Sequence, residues 1–222
     1  YNTINKSINN SELIWIPSFV LDRTQKILNQ IKIGYDKGYI DNIPPIYILS
    51  SSAKEINKVY SKHYDFKTGS EIETFSMSPR DVSYLNEKPS IIITPSYIDD
   101  LDFFHPVIEN IIREEKGRIF IVGYQDPRSF GGLLRKIKHG ELIKLGNKNI
   151  RVNANVDYLG SAFSGHIDEL GILNYIEDLN VSKGIFLTHG DLVNMRKLKE
   201  KINNKSNVNC EIPDYKWNLN LK

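Results

Sequence analysis

The most constraining feature of this chain is a series of short runs, apolar on both faces, each followed by a segment of helical period. LIWIP (13–17), IYIL (46–49), IIIT (91–94), RIFIV (118–122) and GIFLT (184–188) are such runs. A strand apolar on both faces needs cover on both faces, and an amphipathic helix after each strand provides it. The expectation is therefore an α/β fold with a parallel-rich sheet. The segment LDRTQKILNQIK carries an apolar stripe at Ile27, Leu28 and Ile31. SAKEINKVYSKHY predicts a helix with Ser52 as N-cap and Ile56, Val59 and Tyr60 on its buried face. A further helix starts near His105, with Pro106 in its first turn and Val107, Ile108, Ile111 and Ile112 inward. SFGGLLRKI reads as a short helix and ELIKL as a short strand.

Near residue 150 the pattern restarts. IRVNANV reads as a strand, followed by a helix with Leu170, Leu173 and Ile176. After GIFLT comes a helix with Leu192, Met195, Leu198 and Ile202, then a short strand in VNCEI (208–212). Two regions are expected, 1–150 and 151–222. In open parallel sheets ligands gather at the C-terminal ends of strands. The loops to inspect therefore follow Pro17, Leu49, Thr94, Val122 and Thr188.

Composition narrows the chemistry. A formal net charge of +2 says little about partners, and the single cysteine, Cys210, excludes an internal disulfide or a cysteine-rich zinc site. No apolar run reaches the roughly 18 residues of a membrane span. The first ten residues lack the basic and apolar regions of a signal peptide. A cytoplasmic protein without membrane contact is the expectation.

Five histidines are available: His63, His105, His139, His166 and His189. His189 follows GIFLT directly, at the end of an expected parallel strand. There it is either a zinc ligand or a loop histidine with a satisfied hydrogen bond. His166, in SAFSGHIDE, is surrounded by small residues that allow a phosphate to approach. Asp168, two residues on, either caps the following helix or orients the imidazole. His63 and His139 lie in charged helical surroundings and should face solvent; His105 should open a helix. One histidine cannot make a hydrolytic metal site, which needs about three protein ligands or more. No H-x-H-x-D-H or H-E-x-x-H run is present. From Arg128 to Arg151 seven Lys and Arg face one acid, Glu141. That stretch is either a phosphate-facing patch or a solvated surface. Ser96, Ser129 and Arg128 are the candidates for phosphate contact, and Tyr124 and Gln125 either contact a base or sugar or brace their loop, with bracing the expectation.

Several segments, taken in order, resemble one family. IPSFVLDRTQKIL resembles the I-P-[AS]-F-A-x-x-R-x-Q-E-L-L segment of β-CASP nucleases, and ITPS (93–96) resembles their I-S-P-S stretch. IFIVGYQDPRSFGGLL resembles V-x-F-V-G-Y-Q-x-x-G-T-x-G-R-x-L. FSGHID resembles F-S-A-H-x-D, which holds the motif B histidine, and FLTHGD resembles the segment of the motif C histidine. The matches run from Trp15 to Asp191. This resemblance implies a β-CASP α/β domain in the first region, with a parallel-rich sheet. The second region would be the C-terminal part of a metallo-β-lactamase αββα sandwich.

It further implies a zinc-dependent ribonuclease, with two zinc ions in the complete site and RNA as partner. His189 would be a metal ligand and His166 catalytic, with Asp168 supporting. GYQ and the I-P-S-F segment point to the branch of pre-mRNA 3′-end processing endonucleases, with RNase J more distant. DNA-processing relatives usually carry Val where His189 stands. The family's remaining metal ligands belong upstream of Tyr1, so an N-terminally truncated, inactive piece is expected. The loop TPSYIDDLDFFHP lacks the glycines of its family counterpart, and RSFGGLL and SSSA also depart from pattern. A non-catalytic RNA- or partner-binding scaffold and a DNA-processing nuclease are the alternatives. A homodimer is a further expectation.

Overall fold

A computed structural model describes residues 1–63, 74–75, 89–96, 105–160, 162–163, 166–206 and 208–214. The chain divides into two compact units, Tyr1–Gly165 and His166–Lys222.

In the first unit the order is α1 (Asn2–Asn9), β1 (Leu13–Ser18), α2 (Arg23–Asp36), β2 (Ile46–Ile48), α3 (Ser51–His63), β3 (Thr74–Phe75) and β4 (Ser90–Pro95). Then follow α4 (His105–Arg113), β5 (Gly117–Ile121), α5 (Phe130–Leu134), β6 (Leu142–Leu145), β7 (Lys148–Arg151) and β8 (Asn155–Tyr158). Six strands form one sheet in the order β3-β2-β4-β1-β5-β8. Every pairing in it is parallel, as strands apolar on both faces require.

Side chains alternate across the sheet with the period of two of a strand. Ile14, Ile16, Ile46, Ile48, Ile91, Ile93 and Phe120 pack on the face covered by α2, with Ile27, Leu28 and Ile31. Leu13, Trp15, Ile92, Ile119 and Ile121 point the other way, onto Val107, Ile108, Ile111 and Ile112 of α4 and Phe130 and Leu134 of α5. Trp15 is fully buried and donates its indole N–H to Thr94 Oγ1 at 3.0 Å. Burial of each such isoleucine contributes on the order of 2 kcal/mol.

Pro17 sits inside a central strand, where a missing N–H should break a ladder. Its position resolves the conflict. β1 pairs with β4 along its whole length, but its pairing with β5 stops at Trp15↔Ile119. Beyond that point the C-terminal ends of β1 and β5 separate.

At the other end of these strands Arg118 joins three strands. Its Nε and one terminal nitrogen donate to Glu12, at 2.8 and 3.2 Å, and the other terminal nitrogen donates to Asp157 at 2.8 Å. Burial raises the Glu12 pKa, but the hydrogen bonds and charge of Arg118 offset it and hold the carboxyl below its usual range.

Three expectations change. The first turn of α3 is capped by Ser50, whose Oγ accepts from the Ala53 amide at 3.2 Å, and not by Ser52. The α3 stripe buries only Ala53, while Val59 is 55% exposed. IRVNANV is two strands: β7 pairs antiparallel with β6 as a hairpin, and β8 adds to the sheet beside β5. Between them the Asn153 and Ala154 amides bond to the Ile112 carbonyl, and the Asn153 side chain donates to the Arg113 carbonyl. The change of character near residue 150 falls at that crossing, and by contacts the first compact unit runs to residue 165. The helix α1 carries only Ile4 and Ile8 as an apolar signal.

The second unit contains α6 (Glu169–Asp178), β9 (Ile185–Phe186), α7 (Leu192–Lys205) and β10 (Cys210–Glu211). β9 and β10 pair in parallel. Leu173, Ile202 and Cys210 form its small core, with Ile176, Ile185, Leu187 and Leu198 packed against it.

Candidate active site

Within the second unit, the two candidate histidines each precede a helix. Asp168 caps α6, its carboxylate accepting from the Gly171 amide at 2.8 Å. A Cβ at Gly171 would stand 2.5 Å from Ile167, so glycine is needed for this tight first turn. His166 lies two residues before the cap and is exposed. Of the two roles read for Asp168, the cap is the one its carboxylate occupies.

His189 follows β9 after two residues and precedes Asp191, the cap of α7. The Asp191 carboxylate accepts from the amides of Val193 and Asn194 at 3.0 and 3.3 Å. His189 has φ of 64°, in the left-handed region. That conformation costs a non-glycine residue about 1 kcal/mol, and His is among the residues that adopt it more readily. Its ring is exposed and makes no hydrogen bond with any described residue.

Lys201 and Lys205 of α7 pair with Glu169 and Glu177 of α6. Both pairs ascend the two helices together, so α6 and α7 run in the same direction. The two helices are staggered, since Glu169 is the first residue of α6 and its partner Lys201 lies in the C-terminal half of α7. Among the described residues no three His, Cys, Asp or Glu side chains converge into a metal-holding group. These residues make no zinc site by themselves; His189 presents a single donor.

The other candidates belong to the first unit. Ser96 follows β4, and its buried Oγ finds no partner among the described residues. Ser129 caps α5, accepting from the Gly132 amide at 3.2 Å and donating to the Asp126 carbonyl at 2.8 Å, so its hydroxyl is already committed. The Arg128 side chain is 92% exposed; its backbone N–H donates to Asp126 and holds that carboxyl below its usual range.

Of the basic stretch, Arg135 lies over the Tyr158 ring, Lys148 pairs with Glu109, and Arg151 donates to the Gly140 carbonyl. Lys136, Lys138 and Lys144 remain exposed, with side-chain ammonium groups unpaired among the described residues. Gln125 braces its loop, its Oε1 lying where a Cβ of Gly131 would be, but Tyr124 does not: it is 71% exposed. His63 and His139 face solvent and His105 opens α4, as expected. The segment 97–104 of the altered loop lies outside the described residues.

Sequence reasoning gave no role to Arg23. It stands at the junction of an apolar strand and a helix, 9% exposed, against the chain just after β5. An arginine immediately before a buried helical stripe was the available signal.

Two family models match the chain: a Beta-Casp domain over residues 24–134, and a Zn-dependent metallo-hydrolase RNA specificity domain over residues 149–213. Among curated relatives, the transcription termination factor FttA of Methanococcus maripaludis is 27% identical over 204 residues, covering 80% of this chain and 31% of that protein. Integrator complex subunit 11 of Gallus gallus is 24% identical, over 95% of this chain and 36% of its own length. The endoribonuclease ysh1 of Schizosaccharomyces pombe is 24% identical, over 92% and 28%. The chain thus spans about a third of the length of the relatives it matches.

Proposed function

This chain belongs to the β-CASP family of metallo-β-lactamase-fold nucleases, and we propose that it is the RNA-engaging part of a metal-dependent ribonuclease. The observation that supports this most is the pair of histidines at the N-terminal ends of two helices running in one direction. Helix N-termini carry partial positive charge and favour anions, so each histidine stands where a phosphate is favoured. His166 is the proton donor to the leaving oxygen, or the hydrogen-bond donor to the scissile phosphate. Asp168 holds the first turn behind it. His189 offers a ring nitrogen as one metal ligand, and its left-handed backbone fits the strain that accumulates at functional positions. A bound divalent metal would supply charge neutralisation and an activated water. The remaining ligands would come from sequence outside these residues. Ser96 and Arg128 are phosphate contacts on the first unit; Ser129 contributes through the turn it caps.

The test uses single-stranded RNA with zinc or with a chelator. A form extended upstream cuts RNA with zinc and spares it with chelator, and His166→Ala slows cutting by about a hundredfold or more. The 222-residue chain leaves RNA intact by itself. Independently of activity, the ring resonances of His189 shift on addition of zinc to the extended form, and those of His63 do not. Cleavage by the present chain alone, or full activity in His166→Ala, would end this proposal. RNA binding without cleavage in the extended form would mark a non-catalytic scaffold.

A further inference from the structure

Arg23 is a buried cation that forms no ion pair among the described residues, and the Asp22 carboxylate acts on it only through space. Its Nε donates to the Phe163 carbonyl at 3.1 Å, and the guanidinium carbon lies 4.7 Å from the centre of the Phe19 ring. The two terminal nitrogens have no acceptor among the described residues, yet they are not sealed from solvent. Removing a charge from water without a partner is costly, so such a group calls for an anion.

The neighbouring carboxylate, Asp22, is drawn elsewhere. It pairs with Lys26 at 2.7 Å and accepts from the Tyr60 hydroxyl at 3.4 Å. It makes no capping bond to α2, so the positive end of that 14-residue helix also lacks a side-chain acceptor. β1 and β5 stop pairing after Trp15 and separate, with Pro17 on the parting edge. From there β1 leads to α2 on one face of the sheet and β5 to α5 on the other. Chains leaving neighbouring parallel strands toward opposite faces leave a crevice at their C-terminal ends. Gly123, just after β5, forms its wall: a Cβ there would lie 2.0 Å from one terminal nitrogen of Arg23. The next residue, Tyr124, is 71% exposed.

We propose that Arg23 binds a backbone phosphate of single-stranded RNA in this crevice, with the adjoining base stacked on Tyr124. A guanidinium fork matches phosphate oxygens, and aromatic rings stack bases without regard to sequence. The assignment to RNA rests on the function proposed above; the anion site rests on the geometry of the first unit.

The test is arginine-labelled magnetic resonance of the full chain, titrated with inorganic phosphate and, separately, with a hexauridylate at low salt. Both move the Arg23 side-chain resonances and saturate. Arg23→Lys and Gly123→Ala each weaken RNA binding by about tenfold, and Arg23→Lys lowers the salt slope by about one. Tyr124→Ala weakens RNA by about tenfold and leaves phosphate binding unchanged. RNA that binds without moving Arg23, or binds Arg23→Lys and Gly123→Ala as it binds the parent, overturns the proposal and makes Arg23 a brace for Phe19 and Phe163. A shift with phosphate but none with RNA also overturns it, leaving a simple anion site. Should the extended form fail to cut RNA while Arg23 still answers to it, the proposal stands and the hydrolytic function falls.

Discussion

The two units solve the burial problem differently. The first sandwiches a six-stranded sheet between helices, and the isoleucines of β1, β2 and β4 are 2% exposed or less. The second has two two-residue strands and a core of Leu173, Ile202 and Cys210. It leaves Ile167, Leu170, Tyr175 and Val193 each about 60% exposed. A sheet closed by its own helices supplies a rigid frame; helices with uncovered apolar residues supply ends and loops whose order depends on little burial. The expected consequence is that the first unit opens only globally, and the second opens locally at lower cost.

The largest effect that could break this contrast is a core truncation. Ile92→Ala, at the centre of β4 and fully buried, should cost about 4 kcal/mol. Leu173→Ala, in the thinner core, should cost about 2 kcal/mol because its surroundings can collapse around the gap. Urea titration followed by Trp15 fluorescence reads the first, and amide exchange in α6 and α7 reads the second. If Leu173→Ala shifted the Trp15 transition as far as Ile92→Ala, the units would be a single cooperative body.

Next in size is the Arg118 bridge. Arg118→Met leaves Glu12, 7% exposed, without its main partner, and should cost the first unit about 2 kcal/mol. This is less than a fully buried pair because Asp157 is a third exposed. The pH dependence has a defined sign. The Glu12 carboxyl is depressed in the folded state. Its stabilisation is therefore complete above the unfolded carboxylate range, about pH 4.3, and is lost as pH falls through the folded value. In Arg118→Met burial becomes the dominant influence, and the acid-side loss should shrink. An unchanged acid slope in the variant would remove the bridge from the stability of the first unit.

How much of this was legible in sequence follows from the same contrast. Apolar runs such as LIWIP and IIIT gave strand, partner and layer together, because two-faced burial leaves few alternatives. Signals one hydrogen bond deep were weaker. Three serines, Ser50, Ser51 and Ser52, precede Ala53, and only geometry selects Ser50 as the cap. IRVNANV looks continuous, but Asn153 satisfies the end of α4 and breaks it in two. At the candidate site, the histidine positions were visible through motif resemblance and strand ends. The left-handed backbone of His189 was not, since nothing in FLTHGD demands it. Arg23 escaped notice because its meaning lies in the absent acceptor and in the parting of β1 from β5, neither of which is local in sequence.

Helix caps give the next smaller test, on the two aspartate caps of the second unit. Asp168→Ala and Asp191→Ala each remove acceptors for first-turn amides, at about 1 kcal/mol each. The loss should appear as faster amide exchange in the first turns of α6 and α7, with the Trp15 transition unmoved. Asp168→Asn should recover most of the protection, because an amide oxygen caps as well. Loss of protection in Asp168→Asn equal to that in Asp168→Ala would mean the carboxylate acts through its charge rather than as a cap.

The smallest expected effect sits on the loop after β5, where two neighbours differ in kind. Gln125 packs against Gly131 in the first turn of α5, whereas Tyr124 projects into solvent. Tyr124→Ala should therefore change stability by no more than about 0.5 kcal/mol, since it removes little buried surface. Gln125→Ala should cost more, because it leaves a gap beside a helix whose Phe130 and Leu134 belong to the main core. Paired urea titrations of the two variants decide this. A Tyr124 cost equal to that of Gln125 would show that the ring folds back onto the protein in solution.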